Sequence, residues 1–178
     1  SDTRSVFFKD MHIPTSAVLG NPSKGFKQFL KTLTGGRITI GALGLGTAQG
    51  AFARALEYSQ EREAFGKSIN NFQGISFKLS DMATQIEAAR HLVYYAAWKK
   101  DQGLPVIREA AMAKLFSSET AMQVTTEAIQ VLGGYGYIKE YDVERFFRDA
   151  KILEIGEGTS EVQRMIIARD LIQSVQTV

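Results

Sequence analysis

Residues 74–100, GISFKLSDMATQIEAARHLVYYAAWKK, carry apolar side chains at Ile75, Leu79, Met82, Ile86, Ala89, Val93 and Ala96. The steps between them alternate four and three, so they fall on one stripe of an α-helix and predict a core-facing helix from about Gly74 to Lys100. Upstream, Phe29, Leu33, Ile40, Leu43, Ala48, Ala51, Ala55 and Tyr58 recur at helical spacing and mark a long helix from about Phe26 to Glu61. That helix contains Gly35, Gly36, Gly41, Gly44, Gly46 and Gly50. Each weakens a helix, which points to the close approach of another helix or a ligand on that face. Downstream, Gly103 and Pro105 interrupt the pattern, and proline suits a first helical turn. A third helix then runs through Ala111, Leu115, Ala121, Val124, Ala128 and Val131 to a glycine stop at Gly133-Gly134. A short helix is expected from about Asp142 to Ala150. The last begins at Thr159 or Ser160, where Ser160 and Gln163 have capping-box spacing, and continues through Met165, Ile166 and Leu171. Long helices joined by short breaks predict an all-α, antiparallel up-down bundle. Ahead of it, residues 6–14, VFFKDMHIP, read as a short strand closed by proline. No other segment reads convincingly as a strand, so its sheet is expected to lie in sequence beyond this chain. Residues 15–25 read as a loop.

A chain of 178 residues with 44% hydrophobic side chains can bury one sizeable core. Its 21 basic and 19 acidic residues nearly cancel, and no Lys/Arg cluster marks a nucleic-acid face. With no cysteine and only His12 and His91, neither a disulfide framework nor a thiolate metal site is expected, and no metal is assigned. The absence of cysteine fits a reducing compartment. No run of roughly 18 apolar residues predicts a membrane span, and the N-terminus does not read as a signal peptide. The run Gly44-Leu45-Gly46-Thr47-Ala48-Gln49-Gly50 superficially matches a dinucleotide fingerprint, but its spacing is one residue too long and no strand precedes it; helix packing is the better reading. Trp98, Tyr94-Tyr95 and Phe146-Phe147 read as core or interface aromatics, and His91 as a surface or core histidine.

Chemistry concentrates at Ile155-Gly156-Glu157-Gly158-Thr159-Ser160-Glu161. A carboxylate between two glycines, just before a helix N-terminus, has free backbone N–H groups beside it and suits a base working near a developing oxyanion. An isolated Gly-Glu-Gly is more often an exposed turn, so the neighbouring residues decide. Glu157 through Arg164, with Arg148-Asp149-Ala150-Lys151-Ile152 before it, resembles the catalytic-glutamate signature of the acyl-CoA dehydrogenase family. Arg62-Glu63-Ala64-Phe65-Gly66-Lys67-Ser68-Ile69 with Phe72-Gln73, and Gln130-Val131-Leu132-Gly133-Gly134-Tyr135-Gly136-Tyr137, resemble two further family segments in the same order.

The resemblance implies that residues 1–20 are a remnant of a middle β-domain and a linker, and that residues 21–178 are the C-terminal helical-bundle domain. The N-terminal helical domain and most of the β-domain would lie outside this chain, leaving it inactive alone. It implies FAD as cofactor, with Arg62 and Gln73 at the pyrophosphate and adenosine, Phe65 alongside, and Gln130, Val131, Leu132, Gly133 and Gly134 against the FAD of a neighbouring subunit. The planar fork of arginine fits phosphate in a way lysine cannot. Thr159, Ser160 and Glu161 would contact the flavin, although the hydroxyls also suit a helix cap. Glu157 would remove the α-proton of an acyl-CoA while a β-hydride passes to flavin N5, giving the trans-2-enoyl-CoA. Thr34, Arg37 and Gly158 would lie at the substrate. The family usually has aspartate where Thr34 stands, and some relatives place the catalytic glutamate where Gly36 stands. Gly156 stands where many relatives carry tyrosine, a departure that either widens the acyl pocket or reflects subfamily drift. The resemblance further implies electron-transferring flavoprotein as partner, a homotetramer built as a dimer of dimers, and a cytoplasmic (bacterial-type) or mitochondrial-matrix location. An acyl-CoA oxidase, a flavin monooxygenase or a non-catalytic assembly domain stay open at this point.

Overall fold

In the computed structural model, which describes residues 4–175, the glycine-bearing segment forms one unbroken helix, α1 (Gly25–Glu61). Its glycines explain how it packs. A Cβ added at Gly41 would lie 3.3 Å from the Ala113 backbone, and one at Gly44 would lie 2.9 Å from the Ser117 carbonyl oxygen. These bare positions let α1 lie backbone to backbone on α3 (Ile107–Leu132). Gly46 faces away and meets nothing within 4 Å. Gly44→Ala is therefore expected to destabilise the bundle by about 1–3 kcal/mol, because backbone must yield. Gly46→Ala should stabilise it by about 0.5–1 kcal/mol through helix propensity alone. Denaturant unfolding of the two variants side by side checks this pair; equal shifts would remove the packing account.

Helix α2 (Gln73–Asp101) buries Leu79, Met82, Ile86, Ala89, Val93 and Ala96, the predicted stripe, with Ile75 half-buried at its start. Pairings along the helices set their directions. Gly35 faces Lys100 and Gly41 faces Val93, so α1 and α2 are antiparallel. Lys78 pairs with Glu127 and Lys99 with Glu109, so α2 and α3 are antiparallel too. Helix α4 (Val143–Ala150) and helix α5 (Ser160–Val175) also pack on α3, and α5 runs against it through Arg164–Glu119 and Arg108–Asp170. The up-down bundle is thus formed with α3 at its centre. Burial would raise the pKa of the Glu109 carboxyl, but the Lys99 ammonium at 2.7 Å and Arg108 hold it below the ordinary value. The stabilisation this provides is lost as the pH falls through the depressed pKa.

Several expectations change. No ladder forms at residues 6–13, whose Val6, Phe7, Phe8, Met11 and Ile13 are exposed, because the described chain offers that segment no strand to pair with. The pairing that does form is a hairpin the sequence reading missed, β1 (Glu63–Ala64) against β2 (Lys67–Ser68). Its two tip residues, Phe65 and Gly66, both have positive φ (+53° and +78°), the conformation of a tight type I′ turn. Two short 3₁₀ turns, Thr15–Ala17 and Pro22–Lys24, interrupt the predicted loop. Phe29 and Leu43 are exposed on α1, as are Met165 and Leu171 on α5. Helix α5 instead buries Ser160 and Gln163. No helix among the described residues is long and apolar enough to cross a membrane.

Candidate active site

The chain leaves α4 through a 3₁₀ turn at Lys151–Glu154, and the N–H groups of Ile155 and Gly156 both donate to the Ile152 carbonyl. The backbone then turns left-handed twice in succession, at Glu157 (φ +57°) and Gly158 (φ +94°). Glycine adopts this conformation freely, whereas for Glu157 it costs on the order of 1 kcal/mol and must be held by its surroundings. The holding contacts converge on one atom. The Gly158 carbonyl oxygen accepts from Lys114 Nζ at 2.8 Å and from Gln163 Nε2 at 2.8 Å. Gln163 Nε2 also lies 3.4 Å from the Glu157 carbonyl oxygen.

The expected Ser160–Gln163 capping box is not formed, because the Gln163 amide is drawn back to this turn. Thr159 caps α5 instead, its hydroxyl accepting from the Val162 N–H at 3.4 Å, while the Ser160 hydroxyl is buried without a partner. Backbone and Thr159 hydrogen bonds at this helix start hold the Glu161 carboxyl below its ordinary pKa.

The Glu157 side chain reaches across to α1. A Cβ placed on Gly36 would lie 2.0 Å from Glu157 Oε2 and 2.7 Å from its Cδ. The two positions at which the family resemblance locates a base therefore address the same space, and glycine at 36 leaves it to Glu157. Arg37, the next residue on α1, is buried, with its Nε lacking a partner. Burial lowers its pKa, and the nearby Glu157 charge partly offsets this. Thr34 is half-buried one turn away and donates its hydroxyl to the Leu30 carbonyl at 3.2 Å, so that hydrogen is engaged within the helix.

At the far end of α1 is a cleft of about 660 Å³, lined by Tyr58, Arg62, Phe65, Phe72, Val131, Leu132, Gly133, Gly134 and Tyr135 among others. It brings Arg62 and Phe65 together with most of the 130–134 segment; Gln73 starts α2 beside it, between the lining residues Phe72 and Ile75, and Gln130 is exposed outside the lining. Gly133 ends α3 with φ +60°, and a Cβ at Gly133 or Gly134 would meet nothing within 4 Å. These glycines leave backbone open toward the cleft without any internal packing that requires them. Phe65 stands 95% exposed at the hairpin tip, edge-on to Phe72. A tyrosine trio, Tyr58, Tyr135 and Tyr141, backs the cleft, and the Arg62 guanidinium sits 5.7 Å from the Tyr135 ring centre. Burial pushes the Tyr58 hydroxyl pKa up against the pull of Arg62. The Arg62 guanidinium among aromatic faces and bare backbone matches a planar, phosphate-bearing ligand.

Thr159, Ser160 and Glu161 are not in that cleft. They line a polar hollow of about 190 Å³ with Glu119, Lys151, Glu154, Ile155 and Arg164. Gly36, at the Glu157 carboxylate, and Glu61, beside the cleft, are separated along α1 by roughly 38 Å at 1.5 Å per residue. Lys114 and the tyrosine trio escaped sequence reasoning. Lys114 had left a trace, since it falls on the buried stripe of α3 between Ala111 and Ser118, where a charged residue is out of place.

The family model for "Acyl-CoA dehydrogenase, C-terminal domain" matches residues 23–172. A probable acyl-CoA dehydrogenase, YngJ of Bacillus subtilis, is 54% identical over 97% of this chain and 46% of its own length. Among solved structures, butyryl-CoA dehydrogenase from Megasphaera elsdenii superposes with a TM-score of 0.91 at 54% identity, covering 93% of this chain and 43% of that one. A chain from a structural study of the electron transferring flavoprotein of Acidaminococcus fermentans gives a TM-score of 0.91 at 52% identity, covering 92% of this chain and 43% of that one. This chain thus spans less than half the length of the proteins it matches.

Proposed function

Because this chain belongs to the acyl-CoA dehydrogenase family and carries its C-terminal domain, we propose that it is the part of a flavoprotein that supplies the base for α,β-dehydrogenation of a short acyl-CoA. One observation carries the reading: the carboxylate of Glu157 is presented from a left-handed turn over the bare Gly36 backbone, beside the buried cation of Arg37. A carboxylate so placed can take an α-proton. As the proton leaves, negative charge grows on the thioester oxygen, and the Glu157 backbone N–H is the nearby donor that would meet it. The Arg37 charge steadies the same region, and Thr34 and Gly158 border it.

The residues of the cleft fit FAD. Arg62 would hold its pyrophosphate, with Phe65, Gln73 and Gln130 through Gly134 around the adenosine end, and FAD when bound would supply the acceptor for the β-hydride. Thr159, Ser160 and Glu161 would border the isoalloxazine from the other end of the domain. Roughly 38 Å of α1 lies between Gly36, where the Glu157 carboxylate reaches, and Glu61 beside the cleft, which supports the base and the cleft serving cofactors in different copies; the assembly proposed with it is a homotetramer built as a dimer of dimers. Residues 6–13 and the remaining domains would come together in the whole polypeptide, in the cytoplasm or the mitochondrial matrix, and residues 1–178 alone would be inactive. Electrons would leave through electron-transferring flavoprotein, a reading that the Acidaminococcus likeness favours.

The test is anaerobic titration of the full-length flavoprotein with acyl-CoAs of graded length. Bleaching of the flavin is expected to be fastest with the four-carbon thioester, in line with the butyryl-CoA dehydrogenase likeness. Bleaching confined to long chains would overturn the short-chain reading. Stoichiometric peroxide in air during steady turnover would overturn the dehydrogenase reading in favour of an oxidase.

A further inference from the structure

Among the described residues Lys114, in the centre of α3, is a charged side chain with no exposed surface. Burying a cation without a strong partner is unfavourable, and a well-packed apolar residue of the same length is often at least as stable. The acids around it, Glu154, Glu161 and Glu119, act on it only through longer-range charge, and Arg37 repels it. Its described hydrogen bond, at 2.8 Å, goes to the Gly158 carbonyl oxygen, and Gln163 Nε2 meets the same oxygen at 2.8 Å. A charge-assisted bond of this kind is stronger and more directional than a neutral one. It lands on the second of two consecutive left-handed residues, the first of which is Glu157. Without a clamp, the non-glycine residue at φ +57° would relax toward ordinary backbone and carry its carboxylate away from the Gly36 face.

We propose that Lys114, seconded by Gln163, is a positioning residue for the Glu157 base: the two side chains clamp the Gly158 carbonyl and so hold the left-handed turn that aims the carboxylate over α1. This rests on the reading of Glu157 as the base. The lysine is there for geometry at the site and not for stability. Its removal should therefore separate rate from folding.

The experiment uses the full-length flavoprotein, mixed anaerobically with butyryl-CoA in a stopped-flow instrument. Flavin bleaching gives a rate constant per bound flavin and an apparent Kd, and FAD content and Tm are measured alongside. Lys114→Met is expected to lower the rate constant by about 100-fold, the scale of a misplacement near 1 Å. Kd, FAD content and Tm should stay near wild type, with a larger isotope effect from α-deuterated substrate. Lys99→Met breaks the Lys99–Glu109 pair away from the loop and should lower Tm while leaving the rate constant per flavin unchanged. A Lys114→Met rate constant within about twofold of wild type overturns the clamp, as does a loss that follows Tm and flavin content alone. Should Lys114→Met fail to fold, Gln163→Leu decides: the same fall in rate constant upholds the clamp, and a wild-type value overturns it. Glu157→Gln run in parallel separates the two failures. Normal bleaching by that variant removes the base assignment and the clamp with it, whereas its loss beside an unaffected Lys114→Met removes the clamp alone.

Discussion

Glu157→Gln in the full-length flavoprotein is expected to slow flavin bleaching by acyl-CoA at least about 10³-fold, within the range that a positioned general base contributes. FAD content and acyl-CoA affinity should stay close to wild type. The side chain is exposed in this domain, so the isosteric amide leaves no cavity and no buried orphan behind. Its backbone is held through the carbonyls of residues 157 and 158, which the substitution does not touch. What changes is the carboxylate that, in the proposed role, takes the proton. The loop offers no evident substitute, since Glu154 is paired with Lys151 at 2.5 Å and Glu161 lies in the polar hollow on the far side of Thr159. Bleaching within tenfold of wild type would therefore place the base outside these elements and sink the assignment.

The sequence revealed the bundle because its helices are long enough to repeat a pattern. The 4-3-4-3 stripe of α2 is buried almost position for position, and the glycine stop at Gly133 ends α3 with φ +60°. Periodicity failed where an apolar residue keeps helical spacing without facing the core. Phe29 and Leu43 keep helical spacing on α1 yet face out, and so do Met165 and Leu171 on α5, because apolar spacing does not say which molecule covers a face. The hairpin at Glu63–Ser68 was invisible for a different reason. Two residues per strand leave no alternation to read, and a phenylalanine at a positive φ is not turn chemistry that a sequence announces. Motif reading pointed to Glu157, Arg62 and the Gly133–Gly134 backbone as candidates, but not to how far apart they lie, since that depends on the length of α1 between them. Lys114 was missed because a lysine within an alanine-rich helix is ordinarily solvated, and only its place on the buried stripe betrays it.

The second large effect is expected at Gly36, a position with no functional group of its own. Any side chain there must enter the volume of the Glu157 carboxylate, since the added Cβ would stand 2.0 Å from Oε2 and 3.0 Å from Oε1. The collision is with the end of a flexible side chain and not with backbone. Gly36→Ala should thus leave folding intact, or improve it slightly through helix propensity, while displacing the base and reducing the bleaching rate by about 100-fold. The same overlap predicts a rescue. In Glu157→Gly the carboxylate is gone and the left-handed turn falls to a residue that adopts it without strain, so the loop should be at least as stable as before. Adding Gly36→Glu then delivers a carboxylate from the rigid side of the site into the vacated space. The double variant is expected to bleach at least about tenfold faster than Glu157→Gly, yet to remain roughly 100-fold below wild type, because the new carboxylate approaches the α-carbon from α1 with a different orientation. Gly36→Glu alone should be the least active form with an intact Glu157, since two carboxylates forced within about 3 Å share a proton and neither serves as a free base. Stopped-flow bleaching of the three variants with one acyl-CoA reads all of this at once. A double variant no faster than Glu157→Gly would mean that the space between α1 and the turn, although shared by the two positions, is not where the α-proton is removed.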